Sequence, residues 1–214
     1  MGFSLTTDDY VDYLNKAYLK IHENGDYITK LDAATGDGDH WANLNMGFEK
    51  LLEISDELKA LNLSDCFKKI GMTMMSVIGG SSGVLYGSAY IEAAKIMKDV
   101  NALTNQTLCN VLEAMLHGIM NRGKSEPGQK TMIDALYPAV IAYKECIAKD
   151  KSETETLTAV KQAAKKGAEN TKEMEALRGR AYYQSNKGVG HLDPGAVTLA
   201  YQIEALMDFV CDKL

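Results

Sequence analysis

The chain has 214 residues, 46% of them hydrophobic and 24% charged, and a formal net charge of −6. That length suits one sizeable core, here a single domain over residues 1–214, and the composition excludes a disordered or fibrous chain. The acidic balance speaks against a nucleic-acid partner, whose phosphates call for a basic face.

Cys66, Cys109, Cys146 and Cys211 are widely spaced and form no paired-cysteine zinc motif, so they read as small packing residues of a reduced protein. The start of the chain lacks the basic and apolar runs of a signal peptide, and no apolar stretch reaches the ~18 residues of a membrane span. The expectation is a cytoplasmic protein with no membrane partner.

Thr6 or Thr7 opens a helix to Glu23, with Val11, Leu14, Tyr18 and Ile21 on one face. Asn24-Gly25 stops it. A short helical turn over 26–33 leads into LDAATGDGDHWANLNMG, residues 31–47, which packs Asp32, Asp37 and Asp39 beside His40 and several glycines. Three carboxylates on a glycine-loosened turn offer the hard oxygen ligands that Mg²⁺ takes together with a phosphate. A plain solvated turn is the alternative. His40 to about Leu58 reads as the next helix, with Leu44, Phe48, Leu51 and Leu52 inward, so the carboxylates lie near a helix N-terminus. Free N–H groups there suit a phosphate.

Ser64 starts a helix with Cys66, Phe67, Ile70, Met74 and Val77 apolar, which runs into Gly79-Gly80-Ser81-Ser82-Gly83. This run precedes a helix over 85–97 and either brings backbone amides close to a phosphate or makes a tight interhelical turn. It matches neither GxxxxGK[ST] nor GxGxxG. Thr104 caps a helix to Asn121, and residues 122–131 form a third glycine loop. The helix over 132–149 carries Pro138, which should bend it or leave a carbonyl without its partner.

Residues 153–178 read as a helix with Leu157, Val160, Ala164 and Ala168 inward. Residues 179–192, with Arg180, Lys187 and His191, have no helical period and read as a lid or binding loop. Asp193 and Pro194 open the last helix. The class is all-α, with seven or eight helices whose short connections imply antiparallel neighbours.

Alternate loops of such a bundle emerge at one end. They would bring together three carboxylates, glycine-exposed amides, hydroxyls, Arg180 and one or two histidines, an inventory that fits a nucleoside diphosphate or triphosphate with Mg²⁺. His40 beside Asp39 and His191 near Asp193 are candidates for proton transfer, although a structural hydrogen bond is the commoner role of such residues. Trp41 at the loop edge reads as a packing residue, with base stacking as the alternative.

LDAATGDGDHWANLNMGF, GMTMMSVIGGSSGVLYG, SEPGQKTMIDALYPA and GRAYYQSNKGVGHLDPGA, in this order over nearly the whole chain, closely resemble the nucleotide-binding L subunits of bacterial phosphoenolpyruvate-dependent dihydroxyacetone kinases. The resemblance implies a barrel of eight antiparallel amphipathic helices holding ADP or ATP at one end through two Mg²⁺ ions. It implies Asp32, Asp37 and Asp39 as metal ligands. It places His40, Asn43, Ser81, Ser82, Gly123, Met132, Arg180, Asp193, Pro194 and Gly195 around the nucleotide, with Arg180 also catalytic because it takes charge on the transferred group. In that family the bound ADP is phosphorylated by a phosphotransfer M subunit and passes its phosphate to dihydroxyacetone held on a separate K subunit.

Against the family pattern, Trp41 stands where a small residue is common, Gln129 replaces the usual Asp, and QSNKGV at 184–189 replaces a stretch usually carrying Gly-Glu-Arg. Other readings are a phosphotransferase subunit serving another short ketose, and a nucleotide-sensing regulatory subunit. A homodimer stays open.

Overall fold

The computed structural model describes residues 2–214. Within them the chain forms ten α-helices: α1 (Thr7–Glu23), α2 (Gly25–Thr35), α3 (His40–Glu53), α4 (Ser55–Lys59), α5 (Leu63–Val77), α6 (Gly80–Lys95), α7 (Asn105–Gly123), α8 (Ile133–Ala148), α9 (Glu153–Asn170) and α10 (Pro194–Cys211). Short 3-10 turns occupy Thr171–Glu173 and Arg180–Tyr183. Among the described residues the β structure is one isolated bridge between Leu5 and Leu103, so the class is all-α. Among the described residues no helix is long and apolar enough to cross a membrane.

The eight longer helices other than α2 and α4 contact one another in cyclic order. α1 packs on α3, α3 on α5, α5 on α6, and so on through α7, α8, α9 and α10, which returns to α1. Their apolar stripes face a shared interior. Tyr10 of α1, Phe67 of α5 and Tyr90 of α6 meet there, with the Phe67 ring 4.3 Å from that of Tyr10 and 5.4 Å from that of Tyr90. The buried hydroxyls of this group find partners, as burial demands. Tyr10 donates to the Tyr90 oxygen at 3.2 Å, and the Gln202 amide of α10 donates to the Tyr86 oxygen at 2.7 Å.

Local chemistry sets most helix starts. Thr6, Asn62, Thr104 and Ser152 each accept a hydrogen bond from the backbone N–H three residues on, capping α1, α5, α7 and α9. Each such cap is worth about 1 kcal/mol.

Four boundaries differ from the sequence reading. Gly25 does not simply stop α1: α2 begins there at once, while the Asn24 amide donates back to the Lys20 carbonyl at 2.8 Å. The expected helix from His40 to Leu58 is two helices, broken at Ile54 (φ −103°, ψ 17°). Gly80 to Gly83 form the first turn of α6 rather than a loop. The helix expected over 153–178 ends at Asn170, because the Thr171 hydroxyl donates to the Ala168 carbonyl and accepts from the Asp193 N–H at 2.9 Å. That second bond spans 22 residues, so local periodicity carries no trace of it.

Pro138 sits inside α8 and has no N–H to give to the carbonyl of Asp134 four residues back. Gly167 of α9 lies directly against that freed carbonyl, so close that a side-chain carbon at 167 would overlap the Asp134 oxygen and crowd Pro138 Cγ at 2.7 Å. Two helices therefore meet backbone to backbone where one of them lacks a hydrogen bond. Neither partner is a flexible side chain that can turn away. Gly167→Ala should accordingly cost about 1–3 kcal/mol, the usual penalty of overpacking, and lower the thermal midpoint; an unchanged midpoint would contradict this packing.

Candidate functional site

The acidic turn joins α2 to α3. Asp32 projects from the last turn of α2, and its Oδ2 accepts the N–H of His40, the first residue of α3, at 3.0 Å. The carboxylate of one helix thus takes up a free N–H of the next and fixes the angle between them. The chain turns through Gly36 and Gly38, the latter at φ +77°, and Asp37 and Asp39 are exposed while Asp32 is buried. One ligand oxygen from each of Asp32, Asp37 and Asp39 can be chosen so that all three lie within 4.8 Å of one another. A close set of three carboxylates is a hard, oxygen-only donor set of the kind Mg²⁺ takes, so these residues fit that metal.

These aspartates line a cleft of about 660 Å³. Four helices begin on its wall: α3 at His40, α6 at Gly80 to Ser82, α8 just after Met132, and α10 at Pro194 and Gly195. The N-cap residues of α3, α6 and α8 supply no side-chain cap, although the Thr131 hydroxyl accepts the Ile133 N–H of α8 at 3.2 Å. The contrast with α1, α5, α7 and α9, all capped by their own side chains, is a difference in chemistry between the two sets of helix starts. Uncapped N-termini carry free N–H groups and a partial positive charge, and both favour an anion.

His40 is buried in the wall, with Nε2 2.9 Å from the Thr198 hydroxyl and Nδ1 3.5 Å from that of Ser82. Burial lowers its pKa, against the pull of Asp32 and Asp39. The ring is thus held by structural bonds. His191 is exposed, and it is absent from the cleft lining.

Residues 171–193 cross the mouth of the cleft as a lid. Its outward arm is held by Arg178, which donates through Nε and Nη2 to the Lys124 carbonyl, and by the Leu177 N–H to the Gln129 carbonyl at 3.2 Å. Its tip is held by the Gln184 amide, which donates to the Ala34 carbonyl of α2 at 3.0 Å. Arg180 then reaches Asp37, Nη2 to Oδ2, at 2.6 Å. Asp193 ends the lid and caps α10, accepting from the Ala196 N–H at 2.7 Å. Burial pushes its carboxyl pKa up to about 7, although that bond and Lys130 pull it down.

The thirteen residues that the family resemblance places at the site all line this one cleft: Asp32, Asp37, Asp39, His40, Asn43, Ser81, Ser82, Gly123, Met132, Arg180, Asp193, Pro194 and Gly195; His191 does not. Sequence reasoning missed Lys130, which also lines it and is 2% exposed. A lysine in a polar glycine loop gives no sign that it will be buried. Trp41 does not line the cleft; its indole lies over Gly25, where a side-chain carbon would stand 2.7 Å from Cε2. It is a packing residue.

Comparison with known proteins places this architecture. The model of the DAK2 domain matches residues 34–208. The ADP-binding subunit DhaL of a PEP-dependent dihydroxyacetone kinase from Listeria innocua is 39% identical over 91% of this chain and 92% of its own length. The corresponding DhaL of Escherichia coli is 33% identical over 95% of this chain and 97% of its own. Among solved structures, the dihydroxyacetone kinase of C. freundii in complex with AMP-PNP and Mg²⁺ superposes with a TM-score of 0.69 at 28% identity, covering 92% of this chain and 33% of that longer one. The chain belongs to the DAK2 domain family and, within it, to the DhaL group of dihydroxyacetone kinase subunits.

Proposed function

We propose that this chain is the ADP-binding subunit of a phosphoenolpyruvate-dependent dihydroxyacetone kinase, working with a phosphotransfer M subunit and with a K subunit that holds dihydroxyacetone. The observation that carries this reading is the meeting, on one cleft wall, of three close carboxylates with several helix N-termini, above all that of α6, which no side chain caps. Carboxylates alone would repel a phosphate, and helix starts alone would not hold a cation. Together they fit a magnesium nucleotide and little else.

Asp32, Asp37 and Asp39 would hold two Mg²⁺ ions. Bound there, a magnesium nucleotide supplies the transferable phosphoryl group, and the metal charge offsets the charge of its phosphates. The protein contributes position and electrostatics. The N–H groups at the start of α6, with the Ser81 and Ser82 hydroxyls, orient phosphate oxygens, and those of α8 at Met132 and α10 at Gly195 close round the other side. Arg180, set across from the aspartates, takes charge on the group in transfer. Asn43 and Gly123 complete the surround. Asp193, its pKa pushed up to about 7 by burial, caps its helix while adding less negative charge to an already acidic cleft than an ordinary aspartate would.

Asp37→Ala should weaken calorimetric binding of ADP with Mg²⁺ by about tenfold or more, since it removes a metal ligand from an exposed edge where folding does not depend on it. Equal affinity would sink the assignment. Purified chain mixed with matching K and M subunits, phosphoenolpyruvate and dihydroxyacetone should consume phosphoenolpyruvate, and omission of the chain should stop it. No turnover in the complete mixture would count against the reading.

The pH response of the nucleotide-free chain follows from Asp193. Folding raises its pKa from the ordinary 3.8 to about 7, so between those values the folded chain keeps a proton that the unfolded chain has released. The contribution of Asp193 to stability therefore falls as pH rises through that window and levels off above it. Asp193→Asn keeps a capping oxygen and should melt above the parent at pH 8 but near it at pH 4. The same offset at both pH values would contradict the shift.

A further inference from the structure

We infer that Lys130 is a positioning residue for this site, an internal tether that holds the lid and so places Arg180 above the three aspartates. The inference rests on reading the cleft as a magnesium-nucleotide site.

Lys130 is out of place by two measures. Its side chain is buried, and its backbone lies in the left-handed region at φ +60°, which a residue with a side chain adopts only when its surroundings impose it. Asp134 does the imposing: its buried carboxylate accepts the N–H groups of Gly128 and Thr131 and clips the turn on both sides of Lys130. The strained backbone aims the side chain under the lid. There the ammonium donates to two main-chain carbonyls, that of Thr171 where α9 gives way to the lid and that of His191 where the lid returns. Higher on the stem, Cε lies 3.1 Å from where a side-chain carbon would stand at Gly188, in the middle of the lid. One side chain therefore joins the two ends of the segment and supports its centre.

The lid's other ties to the body are the exposed two-pronged contact of Arg178 with the Lys124 carbonyl and single bonds from Leu177 and Gln184, and the Arg180 to Asp37 pair is exposed. Surface pairs of that kind contribute little by themselves. A charged donor shared between two main-chain carbonyls, that of Thr171 buried, is stronger, and its loss leaves both acceptors without that partner. The two arms of the lid also bond to each other, Asp193 N–H to the Thr171 hydroxyl at 2.9 Å and Gly190 N–H to the Lys172 carbonyl at 2.8 Å, so the lid moves as one piece; Lys130 joins both of its ends to the turn at 128–131. Without the tether, residues 172–192 would keep their local turns but not their height over the cleft, and Arg180 would sample positions away from the metal ligands.

Lys130→Met, which keeps the stem and removes the charge, separates this role from others. Hydrogen exchange of amides 176–190 in the nucleotide-free chain should speed up by about tenfold, while helices α1, α5 and α7 keep their protection. Affinity for ADP with Mg²⁺ should fall by about three- to tenfold in the parent background and hardly at all when Arg180 is already Ala, because the two changes act through one path. Unchanged lid exchange would overturn the tether. Additive losses of affinity would overturn its action through Arg180 and make Lys130 a direct ligand contact. If Lys130→Met does not fold, Lys130→Gln, which keeps a donor for one carbonyl, carries the same comparison. A parent chain that binds no ADP would defeat the nucleotide reading alone, since lid exchange is measured without nucleotide and still decides the tether.

Discussion

The constraint on which this structure depends is that helix N-termini must be satisfied. A helix leaves its first N–H groups without partners, and each must find a side chain, water or a ligand. At the starts of α1, α5, α7 and α9, Thr, Asn, Thr and Ser side chains meet that need. At the cleft, the N-cap residues of α3, α6 and α8 give no such caps; Asp32 takes the first N–H of α3 from across the turn, the Thr131 hydroxyl takes that of α8, and the start of α6 is left open. The fold thus leaves donors open on one wall and places carboxylates beside them. A neutral ligand would satisfy neither group, and a bare anion only one of them.

Much of this was legible in the residues. Two of the four caps, Thr6 and Thr104, read as polar residues at the head of periodic stretches, while Asn62 and Ser152 are not singled out. The uncapped start of α6 appears as its opposite, a run of Gly and Ser with no acidic residue in the first turn. The clustering of Asp32, Asp37 and Asp39 follows from their spacing on a glycine turn, which cannot carry them far apart. The common cleft follows from counting loops along an all-helical chain. Chain order and backbone chemistry are local properties, so sequence periodicity reports them.

What escaped is non-local. The end of α9 is set by Thr171 bonding to Asp193, and the burial of Lys130 by a lid that arrives some forty residues later. Neither leaves a mark on hydrophobic period. The break at Ile54 lies inside a stretch that stays amphipathic on both sides. Pro138 did announce an unmet carbonyl, yet nothing near it in the chain named Gly167 as the residue that would lie against it. In each case the deciding contact joins segments far apart in the chain.

The stacking of Trp41 on Gly25 bears on how this sequence can diverge. A bulky residue at 41 is tolerated because 25 offers bare backbone. A side chain acquired first at 25 would meet the indole, and a small residue acquired first at 41 would leave a void over α2. The two positions are epistatic. Their permitted substitutions form paired routes, so among related chains the size of the residue at 41 should predict the size at 25.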